Sequence, residues 1–139
     1  MATPDRDRIL AEARDVLSAA LPVAWAIYVY GSFAREEERP DSDLDLAVLL
    51  PPRRTLPDRF DLADTVSRRT GREVDLVDLR TAGLDLIREV LRDGRALRVR
   101  APAETLTWEA EQMTNYADFN PRRAALVSLY LEEPLSKSR

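Results

Sequence analysis

Cysteine and histidine are both missing from this 139-residue chain, lysine occurs once, at Lys137, and there are only four glycines. Without Cys or His there is no thiol nucleophile, no histidine base, no Ser-His-Asp triad, no Cys/His zinc site and no disulfide. Any chemistry must run on oxygen groups and hard cations. The lone lysine also excludes a Walker-type phosphate loop, because Gly31 is not followed by Gly-Lys-Ser/Thr. A secretory signal and an apolar run of membrane-spanning length are absent too, so the expectation is a soluble cytoplasmic protein with no membrane partner. The net charge of −4 and pI of about 5.0 weigh against nonspecific grip on a phosphate backbone, so nucleic acid is not expected as a direct partner. The paired arginines Arg53-Arg54, Arg68-Arg69 and Arg122-Arg123 are scattered and read as solvated surface.

What is present alternates between helical and extended patterns. Pro4 follows Thr3 at a helix start, and Ile9, Leu10, Ala13, Val16, Leu17 and Ala20 recur at helical spacing up to Pro22. Ala24 to Tyr30 is aromatic and β-branched, a buried strand. Leu44 to Leu50 is a second strand and Arg72 to Asp78 a third. Between them, Phe60, Ala63, Val66 and Arg69 mark a helix that Gly71 ends. Thr81 caps a helix carrying Leu84, Ile87 and Leu91, closed by Gly94, and Ala96 to Val99 is a short edge strand. Beyond Pro102, Leu106, Trp108, Met113, Tyr116 and Phe119 fall at helical spacing. Asn120-Pro121 interrupts them, Arg122 to Glu132 can form one more helix, and Pro134 to Arg139 is expected to fray. The fold class is therefore α/β, a small mixed sheet flanked by helices. It forms one domain with a core over residues 1–100 and a C-terminal helical extension over 101–139.

Two features carry chemistry. Gly31 ends the first strand, and Ser32 reads as the N-cap of a short helix from Phe33, so that free backbone N–H groups gather where a phosphate can sit. Ten residues later come Asp43 and Asp45, which share one face of the second strand with Cα atoms roughly 7 Å apart, close enough for both carboxylates to reach divalent cations. Asp75 would face the same cleft if the second and third strands are neighbours. Three acids and a phosphate turn suit two-metal nucleotidyl transfer. Arg35 is placed to meet a phosphate. The Asp41, Asp43, Asp45 series is not a calcium loop, because Leu46 stands where glycine is needed and Pro52 where the bidentate Glu belongs. Asp41 is assigned to turn capping and Asp78 to the end of its strand.

Gly31-Ser32, ten residues, then Asp43-Leu44-Asp45, with Asp75 on a later strand, resembles the signature of the minimal nucleotidyltransferases within the DNA polymerase β-like superfamily. The resemblance covers about the first hundred residues and implies that superfamily's fold. It places Gly31 and Ser32 at the phosphates and Asp43, Asp45 and Asp75 as the three carboxylates. One departure is Glu36, where such proteins usually carry glycine after the arginine. At this size the resemblance is to the antitoxin half of HEPN/MNT toxin–antitoxin modules. It implies an enzyme that transfers AMP from ATP to a tyrosine hydroxyl of a partner HEPN ribonuclease toxin in a hetero-oligomer. On that reading Asp43 and Asp45 hold two Mg²⁺ ions, and Asp75 binds the acceptor-side ion and helps take the tyrosine proton. The chain is not itself the HEPN toxin, whose motif requires a histidine. The alternatives are an enzyme that adenylylates aminoglycoside-type small molecules, or a catalytically weak antitoxin that acts by binding, for which Glu36 is the motive.

Overall fold

The computed structural model describes residues 4–114. Helix α1 (Pro4–Ala20) leads into strand β1 (Ala26–Tyr30), which passes directly into a four-residue helix α2 (Gly31–Ala34). Strand β2 (Leu44–Leu49), helix α3 (Arg59–Thr70), strand β3 (Val74–Asp78), helix α4 (Leu84–Asp93), strand β4 (Arg95–Val99) and helix α5 (Pro102–Thr114) follow. The four strands form one mixed sheet in the order β3-β2-β1-β4. β1 is antiparallel to both β2 and β4, while β2 and β3 are parallel and joined through α3. An edge position for β4 is as the sequence implied. β1, central and with all five residues buried, explains why its sequence is apolar without alternation.

The pleat sends alternate residues to two cores. On one face Ile27, Val29, Leu46, Val48 and Leu76 pack with Ala13 and Leu17 of α1 and Val66 of α3. On the other, Ala26, Tyr28, Tyr30, Ala47 and Leu49 pack with Ile87, Val90 and Leu91 of α4 and Trp108 of α5. Buried side chains of this size stabilise by about 1.5–3 kcal/mol each. One polar contact crosses the second core: the buried Tyr28 hydroxyl donates to Glu109 Oε2 at 2.6 Å, tying α5 to the central strand.

Several local expectations need correction. Ser32 is not an N-cap: α2 begins at Gly31 with Tyr30 in the cap position and no side-chain cap. Thr81 does not cap α4 either. Its N–H and hydroxyl both donate to the Asp78 carbonyl, closing a turn, and the cap falls on Gly83. Asp41 does not close its turn; Ser42 does, its Oγ accepting from the Arg39 N–H at 2.7 Å. Phe60, read as part of an apolar helix face, is 74% exposed. Gly71 ends α3 in a left-handed C-cap and Asp78 ends β3 with Oδ1 accepting from the Arg80 N–H, both as the sequence suggested. The expectations for Tyr116, Phe119, a helix over 122–132 and a frayed tail lie outside the described residues. No helix among the described residues is long and apolar enough to cross a membrane.

Candidate active site

The sheet brings the carboxylates together. In the parallel ladder Asp45 of β2 stands directly beside Asp75 of β3, and in the antiparallel ladder it stands beside Tyr30 of β1. Register partners project to the same face, so all three lie on the α4 side at the pole where β1 ends and β2 begins. Asp43, two residues earlier and exposed, keeps the same parity. The Tyr30 hydroxyl donates to Asp75 Oδ2 at 3.4 Å, although Tyr30 itself is buried.

Gly31 is required here for two independent reasons. Its φ of +69° lies in the left-handed region. A Cβ added to it would collide with Asp45 Oδ2 and stand 3.2 Å from that residue's Cγ. The turn and the carboxylate therefore pack directly against one another. Ser32 follows inside α2, half-buried, and its carbonyl accepts from the Glu37 N–H at 2.9 Å. The chain from α2 to β2 is braced from outside: buried Arg6 of α1 donates to the Phe33 carbonyl and lies 3.4 Å from Glu38. Arg72 Nη1 donates to the carbonyls of Arg39 at 2.8 Å and Ser42 at 3.1 Å while its guanidinium lies over the Phe33 ring. These contacts fix the approach of Asp43.

The site carries an excess of negative charge. Burial, followed by the neighbouring Asp75, Asp43 and Glu89 carboxylates, pushes the Asp45 carboxyl up to about 6, against a smaller opposing pull from Arg35. Burial and the same acidic surroundings, Asp75 first, push the Tyr30 hydroxyl well above its usual range. A hard divalent cation suits this crowd of oxygens. No three acids among the described residues converge tightly enough to hold one ion by themselves. That fits Mg²⁺, which takes one or two protein carboxylates and completes its shell with phosphate oxygens and water.

Arg35 ends α2, with Nε on Glu37 Oε1 at 3.0 Å and Nη1 4.0 Å from Asp93, so it borders the acidic cluster. Glu36 has φ +58°, a conformation that costs little only for glycine, and this is the physical reason a glycine suits the position. Its carboxylate lies 3.9 Å from Arg95 at the start of β4. Glu89 on α4 escaped sequence reasoning. Its approach to the cluster depends on how α4 docks on the sheet, for which no local pattern is a signal. Tyr30 was likewise read only as a strand residue.

Comparison with known proteins agrees with this geometry. The chain is 34% identical over 118 residues to Protein adenylyltransferase MntA of Shewanella oneidensis, covering 85% of this chain and 84% of that one. A solved toxin–antitoxin structure with AMP-PNP superposes with a TM-score of 0.69 at 27% identity, covering 88% of this chain and 98% of the other. A structure of the tri-AMPylated Shewanella oneidensis HEPN toxin in complex with MNT antitoxin gives 0.66 at 25% identity, covering 91% and 98%. The family described as Polymerase beta, Nucleotidyltransferase matches residues 16–102, a span that runs from the end of α1 to the start of α5 and holds the glycine turn and all three acids. The chain belongs to that nucleotidyltransferase family.

Proposed function

We propose that this protein is an antitoxin enzyme that transfers AMP from ATP to a tyrosine hydroxyl of a partner HEPN-domain toxin and so neutralises it. The observation that carries the reading is the Asp45–Asp75 pair, side by side on adjacent parallel strands and packed on the Gly31 turn. Kinship with a protein adenylyltransferase, and likeness to an antitoxin bound to an AMPylated HEPN toxin, supply the substrate class. Two Mg²⁺ ions bound here would neutralise the triphosphate and make the acceptor hydroxyl more acidic. Asp43 and Asp45 would hold them, with Asp75 completing the acceptor side.

The chain's own residues then do the following. Gly31, Ser32 and Arg35 bind the outer phosphates, the arginine leaving its exposed pairing with Glu37 to do so. Asp75 orients the incoming tyrosine hydroxyl and receives its proton. The hydroxyl oxygen bonds to the α-phosphorus as the bond to pyrophosphate breaks in line. Positioning and charge neutralisation account for the rate, so no histidine is needed. We read residues 1–100 as the catalytic core and 101–139 as an extension of the same domain, supported by Trp108 and Glu109 of α5 lying buried in the second core. Glu36 does not favour a silent site, since its carboxylate is drawn to Arg95.

Co-expression with the toxin tests the proposal. Asp43→Ala and Asp45→Ala should abolish neutralisation while the complex still forms. Neutralisation that survives both changes would mean the protein acts by binding alone.

A further inference from the structure

At the pole of the sheet opposite the carboxylates lies an open cavity of about 400 Å³. Trp25, just before β1, Pro52, after β2, and Arg80, after β3, form one wall. Trp108 forms the floor, and Glu104, Thr107 and Glu111, all exposed along one stripe of α5, form the rim. Five residues of β1 separate this pole from Tyr30, about 17 Å of extended chain, so the cavity is no part of the catalytic cleft.

Its chemistry is that of an anchor site left open. The Arg80 guanidinium stacks on Trp25 at 5.0 Å, and Nε donates to the Leu50 carbonyl at 2.8 Å. Its Nη2 is buried with no hydrogen-bond partner, and no carboxylate among the described residues lies within salt-bridge distance of it. A buried guanidinium nitrogen without an acceptor is costly unless something supplies one. Glu104 and Glu111 on the rim likewise have no ion-pair partner among the described residues. Two tryptophans and an arginine around one concavity are the residue types that dominate the energetics of protein–protein contacts.

We propose that this cavity docks the AMP-accepting protein itself. An acidic side chain of that partner enters between Trp25 and Trp108 to meet Arg80, and basic neighbours on the same partner segment meet Glu104 and Glu111. This rests on the reading of the protein as a protein-modifying enzyme. The catalytic pole has to admit nucleotide, metal and a single tyrosine, so a remote anchor supplies affinity without crowding the acidic cluster.

Trp25 and Trp108 are the chain's two tryptophans, so its intrinsic fluorescence reports on this cavity. The test pairs the full-length protein with a tryptophan-free acceptor protein. It uses Thr107→Tyr, which fills the cavity from an exposed helix position, and Glu104→Lys/Glu111→Lys, which reverses the rim. The acceptor should shift the tryptophan emission of the wild type. Both variants should weaken complex formation and raise the acceptor KM at least tenfold, with kcat and the KM for ATP unchanged. Asp43→Asn should behave oppositely, losing transfer while keeping the emission shift, so failure of docking and failure of the catalytic reading are told apart. Unchanged affinity in both cavity variants overturns the proposal. So does an emission shift produced by raising the protein's own concentration, which would place a second copy in the cavity, or one produced by a small metabolite in place of the acceptor.

Discussion

Asp45 is the residue on which charge, packing and proposed chemistry meet. Its carboxyl is held up to about 6 in the folded chain against an ordinary value near 4, so the folded state binds this proton more tightly than the unfolded state. The stabilisation that goes with that proton is complete below about pH 4 and is lost as pH rises through about 6. Asp45→Asn should therefore be more stable than the wild type in metal-free buffer at pH 7.5, with the gap closing towards pH 4. Paired thermal melts measure it, and a gap independent of pH would mean that the acidic neighbours do not act as described. Mg²⁺ should reverse the penalty, raising the wild-type Tm more at pH 7.5 than at pH 5, because protons compete for the same oxygens. In the transfer reaction the same variant should lose at least ~100-fold in rate. Glu36 offers a test of opposite sign: at φ +58°, Glu36→Gly should stabilise by about 1 kcal/mol in denaturant unfolding. A loss instead would show that the pairing with Arg95 outweighs the backbone.

At the scale of elements, the connection from α2 to β2 decides where Asp43 sits, and Arg72 holds it through two backbone carbonyls. Arg72→Ala should lower stability by about 1–2 kcal/mol. It should also speed hydrogen exchange across residues 36–43 and raise the Mg²⁺ requirement of the reaction; unchanged exchange there would remove this brace from the account. The same segment shows what the sequence could reveal. Asp43 and Asp45 share a face by strand parity alone, a local property that needs no tertiary knowledge. Asp75 was legible only on the condition that β2 and β3 are neighbours, which α3 makes possible by crossing between parallel strands. Arg6, Arg72, Arg95 and Glu89 were not legible, because each reaches the site across long sequence separations set by how helices dock. Ser32 and Thr81 misled for a different reason. Both are good capping residues, but β1 turns into α2 at Gly31 with no residue to spare, and the turn closed on Asp78 moves the α4 cap to Gly83.

For the molecule as a whole, the two faces of the sheet divide the work. α1 and α3 complete an apolar core on one side, while α4 and α5 cover the other and leave the carboxylates open at one pole and the tryptophan-lined cavity at the opposite one. A chain without Cys or His reaches catalytic competence by this arrangement of strand ends, with a glycine beneath a carboxylate and a second carboxylate on the next strand. Its central claim is transfer of AMP to a protein. The most direct measurement is intact-mass spectrometry of the HEPN partner after incubation with this protein, ATP and Mg²⁺, beside the same reaction with Asp43→Ala and Asp45→Ala. The account predicts one or more AMP-sized increments on the partner, mapping to tyrosine, with the intact site and none with either variant. A partner that binds stably yet keeps its unmodified mass in all three reactions would contradict it.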